Sequence, residues 1–280
     1  MDFHIFLAVI LAGILHASWN LIIKLDMDRY LALLLIQSLM GVMGFVMLLV
    51  FPLAAPASWP YALGSGVIHL GYFTFLARSY QTGDLSQVYP IARGAAPLLT
   101  FVAAFVFAGE SVTPITTLGI LLLAFGIWFT ARDGNKVLKL DGRTIGFALG
   151  TSVFVAAYTV VDGMGGRASG SASSYAGLVF TLNATIFLTY SIITRGTGIF
   201  RQIAPSWKLG TLGAALAVIA YWITLWAMSV ANIAAVAALR ETGIFFIVIM
   251  SVLVLKEKVT LLRGFGALLI VIGAIALRLA

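Results

Sequence analysis

Two arginines and a glutamate stand inside runs of residues that are otherwise apolar. Arg93 lies in VYPIARGAAPLLT, and the Arg240-Glu241 pair lies in AALRETGIFF. A guanidinium presents a permanently charged, planar fork of N–H donors that suits an anionic group. A glutamate in the same surroundings can neutralise an arginine or carry a proton. Tyr89, Arg93, Ala96 and Thr100 fall on one helical face at i, i+4, i+7 and i+11. His16, Trp19 and Asn20 share another face at i, i+3 and i+4. Imidazole titrates near neutrality, so His16 joins Glu241 as a candidate for proton coupling. Trp19, Tyr89, Tyr158, Tyr221 and Trp222 are aromatic candidates for a cavity wall, with Asn20 as a polar contact. Each candidate has a structural counterpart: Arg93 can snorkel to the interface, the three charged residues can form a buried network that fixes helix packing, and the aromatics can simply pack. Adjacent helical residues point about 100° apart, so Glu241 is expected to pair with an arginine from another helix, Arg93 first.

The elements that hold these residues are membrane spans. The 280-residue chain is 61% hydrophobic and 10% charged, against roughly 25% charged in a soluble domain. Ten runs are long enough to cross a bilayer at about 20 residues each. Their limits are 3–23, 30–51, 61–80, 85–108, 113–131, 144–161, 175–194, 209–231, 233–255 and 261–279. The fold class is all-α integral membrane. Pro90, Gly94 and Pro97 predict that the fourth helix is broken or kinked. Asp162 is expected to end the sixth helix in the headgroup region.

The chain also repeats itself. From Arg93 it reads RGAAPLLTFVAAFVFAGESVTPITTLGILLLAFG, and from Arg240 RETGIFFIVIMSVLVLKEKVTLLRGFGALLIVIG. At a constant offset of 147 residues Arg93 meets Arg240, Glu110 meets Glu257, Thr113 meets Thr260, Gly119 meets Gly266 and Gly126 meets Gly273. Residues 1–131 form a first five-helix repeat and 144–280 a second, joined by the polar linker 132–143. An odd number of spans per half makes the repeats inverted. Inversion puts Arg93 toward the linker side and Arg240 at similar depth from the other side. Glu110 and Glu257 open Glu-x-Val-Thr turns, with Thr113 and Thr260 as helix N-caps. The glycines seven apart in the fifth and tenth helices form small-residue faces, for packing or for a homodimer.

Sidedness follows from the basic residues. Thirteen lie in the loops after odd-numbered spans and only Arg167 and Arg278 on the other side, which predicts a cytoplasmic linker and both termini outside. The net charge of +7 is therefore an orientation signal, not a nucleic-acid one. The N-terminus lacks a basic n-region and reads as a retained helix. The absence of cysteine excludes disulfides, thiolate metal sites and cysteine nucleophiles. There is no nucleotide-binding motif, so no cofactor or metal is expected and energy would come from a gradient or from exchange.

The duplicated five-helix unit, the Glu-x-Val-Thr turn, the glycine-rich closing helix and the opening LHASWNLIIK resemble the EamA-type branch of the drug/metabolite transporter superfamily. The resemblance covers essentially the whole chain. It implies ten helices in an inverted-repeat fold, a central cavity lined by helices 1, 3, 4, 6, 8 and 9, and transport of small metabolites such as amino acids, often as export. LHASWN with VYPIARG is similar to a subgroup associated with phosphonate use. The ninth helix departs from the fourth: Glu241 stands at the Gly94 position and Ile244 at the Pro97 position. The partners expected are a small-molecule substrate and the bilayer. The rival classes are a lipid-modifying membrane enzyme, for which the acidic residues are too scattered, and a membrane binding subunit without flux.

Overall fold

The computed structural model describes residues 1–23, 29–82, 85–111, 113–131, 141–246, 249 and 260–280; of residues 21–23, 29, 80, 85–87, 89, 90 and 131 it describes the backbone alone. Val112, the linker residues 132–140, Glu257 and Val259 lie outside the described residues.

Among the described residues ten principal helices follow one another: α1 (Phe3–Ile23), α2 (Arg29–Val50), α3 (Trp59–Thr82), α4 (Leu85–Phe107), α5 (Pro114–Ala131), α6 (Gly142–Ala168), α7 (Ala172–Arg195), α8 (Trp207–Val230), α9 (Ile233–Arg240) and α10 (Leu261–Leu279). Six stretches among the described residues are long and apolar enough to cross a membrane by length and composition alone. The surface agrees with a lipid solvent. On α10, Gly266, Ile270, Gly273 and Leu277 are buried while Leu268, Ile272 and Ile275 are exposed. Both faces are apolar, which water would not tolerate and lipid does.

The chain divides into two compact units, and each draws helices from both halves of the sequence. Unit one contains Met1–Ile14, Gly71–Val160 and Ala231–Ala280. Its frame is α5 against α10, with α4 against α5 and α9 against α4 and α5. A β-carbon on Gly119 would stand 3.1 Å from the Gly273 carbonyl oxygen, and one on Gly126 would stand 2.8 Å from that of Gly266. Contact numbers rise on one helix as they fall on the other, so α5 and α10 run antiparallel. The 147-residue offset turns the first contact into the second, which is the relation inversion requires of this pair. The chain ends also meet: the Met1 ammonium donates to the Arg278 carbonyl, and Arg278 Nη1 donates to the Met1 carbonyl at 2.6 Å. Both termini therefore lie on the same side.

Unit two contains Leu15–Leu70 and Val161–Val230. Here α2 packs against α7, and α8 packs against both. Gly41 approaches Ala184, and Gly44 approaches Phe180 and Gly177, again an antiparallel pair made close by small residues.

Three sequence expectations change. α4 is continuous despite Pro90 and Pro97. Ser152 of α6 donates its hydroxyl to the Ala92 carbonyl at 2.9 Å, beside the Arg93 carbonyl that Pro97 cannot satisfy. The break lies instead in the ninth span, where α9 stops at Arg240 and a turn at Glu241 and Thr242 precedes helical residues 243–246. Its backbone bonds are of the tighter i to i−3 kind, Glu241 N to Ala238 O at 3.1 Å and Thr242 N to Leu239 O at 3.0 Å. Thr242 Oγ1 also donates to the Leu239 carbonyl at 2.7 Å. Finally, α6 runs on to Ala168, so Asp162 does not end the helix but sits inside it with no exposed surface.

Candidate functional site

The break in the ninth span explains how neighbours on one chain can share a partner. On a regular helix Arg240 and Glu241 diverge; here Glu241 keeps helical dihedrals (φ −68°, ψ −8°) within a tightened turn, and its carboxylate lies within reach of both arginines. Arg240 Nη2 reaches Glu241 Oε1 at 3.3 Å, and Arg93 Nη1 from α4 reaches the same oxygen at 3.1 Å. A second approach, Arg93 Nη1 to Oε2, is 3.5 Å. All three side chains are withdrawn from the surface: Arg93 is 11% exposed, Arg240 3% and Glu241 5%. Two guanidiniums thus converge on one carboxylate within unit one. The guanidiniums of Arg93 and Arg240, expected toward opposite mouths, meet here at one carboxylate.

The backbone around this centre is shaped by glycine. Gly13 of α1 crosses the break so closely that a β-carbon on it would stand 2.8 Å from the Arg240 carbonyl oxygen and 3.1 Å from the Gly243 nitrogen. Glu110, after α4, reaches across to the start of α9, where Oε1 accepts from Ile233 N at 2.8 Å and Oε2 from Ala234 N at 3.4 Å. Asn232 caps the same helix, its Oδ1 accepting from Ala235 N at 2.9 Å. Thr113 and Thr260 cap α5 and α10 as their sequence context predicts, accepting from Thr116 N and Arg263 N. Tyr158, also in unit one, packs edge-on against Tyr72 with ring centroids 5.8 Å apart. The Tyr89 side chain lies outside the described residues.

In unit two, His16, Trp19 and Asn20 bond within their own turns. Trp19 Nε1 donates to His16 Nδ1 at 3.2 Å, and Asn20 Nδ2 donates to the His16 carbonyl at 2.7 Å. Indole nitrogen can only donate, so His16 Nδ1 is the unprotonated nitrogen in this arrangement. Trp222 Nε1 donates to Ser173 Oγ at 3.0 Å, and its ring meets Phe51.

Tyr221 points to a group that the sequence reading misplaced. Its hydroxyl donates to Asp162 Oδ2, and the Tyr175 hydroxyl of α7 donates to Asp162 Oδ1 at 3.1 Å. The sequence carried one signal for this. Gly165 stands where a β-carbon would collide with the Tyr175 hydroxyl, so Asp-Gly-Met-Gly-Gly marks a close helix approach rather than a helix end.

Among the described residues no group of three or more His, Cys, Asp or Glu could hold a metal ion.

Comparison with known proteins identifies the class. The family model that matches is the EamA-like transporter family, over residues 4–132 and 142–279. No curated protein sequence matches. A solved crystal structure, described only as that of a protein, has the same fold: TM-score 0.75 at 17% identity, covering 100% of this chain and 98% of that one.

Proposed function

The chain belongs to the EamA-like transporter family, within the drug/metabolite transporter superfamily, and from that premise we propose that it is a secondary transporter of a small organic metabolite. The substrate is an amino acid or an organic anion, phosphonate-like compounds included. It moves across the inner membrane by alternating access between the two inverted repeats, with the termini outside and the linker in the cytoplasm. The antiparallel contact exchange between α5 and α10 supports the inversion. The observation that carries the substrate class is the convergence of Arg93 and Arg240 on Glu241. Two guanidiniums converge on this one carboxylate out of water, and their N–H forks are donors that suit an anionic solute. Trp19, Asn20, Tyr89, Tyr158, Tyr221 and Trp222 are the further substrate contacts in this reading, and Glu241 and His16 its proton-coupling candidates. A homodimer through α5 and α10 would use their outward faces, because their glycine faces meet each other.

The test has two arms. Thermal-shift screening of the purified protein against amino acids, phosphonates, nucleosides and organic cations is expected to find stabilisation by anionic solutes. Stabilisation by cations alone would sink the anionic reading. Flux of the stabilising solute into proteoliposomes then separates a transporter from a binding subunit or an enzyme. Arg93→Ala is expected to weaken binding and flux together, and unaltered affinity and rate would remove Arg93 from the site.

A further inference from the structure

Asp162 is a carboxylic acid inside a membrane span that the proposed anion centre does not use. It lies about 9 Å along α6 from the Ala168 end, at ~1.5 Å per residue, and it has no exposed surface. Intramembrane carboxylates are costly and mark functional positions when their partners are specific. The partners here come from two other helices: Tyr175 of α7 on Oδ1 and Tyr221 of α8 on Oδ2. Tyr221 is itself set edge-on to His69 of α3, ring centroids 6.4 Å apart, and tilted on Phe180 of α7. His69 Nδ1 lies 2.9 Å from the Ser65 carbonyl. Tyr61 of α3 is within electrostatic reach of Tyr175, and Arg167, one turn beyond Asp162 on α6, donates Nε to the Met228 carbonyl at 3.0 Å. Among the described residues, these are titratable and charged groups that α3, α6, α7 and α8 present near the carboxyl.

Phenols are well suited to a carboxyl that changes charge. A tyrosine hydroxyl both donates and accepts. With Asp162 ionised, both phenols donate to it, and two charge-assisted bonds tie α7 and α8 to α6. When a proton from water bonds to one carboxylate oxygen, that oxygen becomes a donor. One phenol must then accept, and its own O–H must turn to another acceptor. Release of the proton to water reverses the step, and nothing else is gained or lost. An arginine partner could not invert its bond in this way, since it only donates.

We propose that Asp162 is a proton-carrying carboxyl of this protein, and that gaining or losing one proton there remakes the bonds joining α6 to α7 and α8. As a coupling device this rests on the transporter reading; as a titrating group it does not. The test is infrared difference spectroscopy of the full-length protein in lipid nanodiscs, titrated over roughly pH 5 to 9. A carboxylic C=O band is expected to appear and disappear with pH in the wild type, to be lost in Asp162→Asn and to persist in Glu110→Gln. Tyr221→Phe removes one donor and is expected to keep the band but shift it to higher frequency. An Asp162 that holds one protonation state across this range overturns the proposal, as does a band unmoved by Tyr221→Phe should Asp162→Asn fail to fold. A pH-jump current on a solid-supported membrane, present in the wild type and abolished in Asp162→Asn, is the expected functional counterpart. An unchanged current in Asp162→Asn overturns it. Titration of Asp162 without solute flux would leave this proposal standing and remove the transporter reading instead.

Discussion

Gly126 and Gly266 meet backbone to backbone: a β-carbon on either would stand 2.8 or 2.7 Å from the other's carbonyl oxygen. Between helices in lipid, close approach of this kind supplies the packing that the hydrophobic effect supplies in water. A β-branched side chain at either position must push α5 and α10 apart. Gly126→Val and Gly266→Val are expected to cost about 1–3 kcal/mol each. Gly146 of α6 has nothing within 4 Å of its built β-carbon, so Gly146→Ala serves as the control, within about 0.5 kcal/mol of wild type. Unfolding in detergent measures all three, and equal effects would show that the glycine contact is not what holds the pair.

Removing the shared carboxylate leaves two buried guanidiniums facing each other. Glu241→Gln is therefore expected to destabilise more than either arginine replacement, by about 3–5 kcal/mol as for other broken buried pairs. Adding Arg93→Met to Glu241→Gln removes one of the stranded charges and is expected to restore part of the loss. A double-mutant cycle on these two positions should give a coupling of about 0.5–3 kcal/mol. Strict additivity would mean that the 3.1 Å contact carries no interaction energy.

The succession of helices was legible because lipid demands long apolar runs, and the sequence has ten of them. The Arg93–Glu241 pair was legible for a related reason: few partners exist for a charge inside a span. What misled was local punctuation. Prolines in α4 pointed to a break there, yet the helix runs through both, and α6 packs on that stretch through the Ser152–Ala92 hydrogen bond. The sixth helix was expected to end at Asp162, yet it continues, and Gly165 beyond it makes room for the Tyr175 ring. The actual break, at Glu241-Thr242, has no proline, and the local signal is a hydroxyl that bonds back to Leu239.

The crossing of α1 over that break is open to direct test. Gly13→Val cannot be placed without displacing the Arg240 carbonyl or the Gly243 backbone, both within 3.1 Å of a β-carbon there. It is expected to speed amide hydrogen exchange across residues 233–246 and to reduce flux. Thr242→Val removes only the 2.7 Å hydroxyl bond and should have a smaller effect, about 1 kcal/mol. Mass-spectrometric exchange on peptides from this segment distinguishes the two. Unchanged exchange in Gly13→Val would mean that α1 does not hold the break.

Glu110 holds the other end of α9. Its two oxygens and Asn232 Oδ1 together accept from the amides of Ile233, Ala234 and Ala235, donors that the first turn of a helix cannot pair internally. In lipid these donors would otherwise remain unsatisfied. Glu110→Ala is expected to cost about 1–3 kcal/mol, and Asn232→Ala about 0.5–2 kcal/mol. Glu110→Gln keeps the acceptor for Ile233 N but loses the 3.4 Å contact with Ala234 N, together with the attraction between a negative charge and the helix N-terminus, about 0.3–1 kcal/mol. The expected order of stability in detergent is wild type, then Glu110→Gln, then Glu110→Ala. Because Glu110 follows α4, which carries Arg93, and caps α9, which ends in Arg240, its loss should also loosen the charged centre. Glu110→Ala is therefore expected to weaken solute binding as well as stability, whereas Glu110→Gln should retain binding. Equal damage from both variants would mean that the charge, not the two hydrogen bonds, ties these helices together.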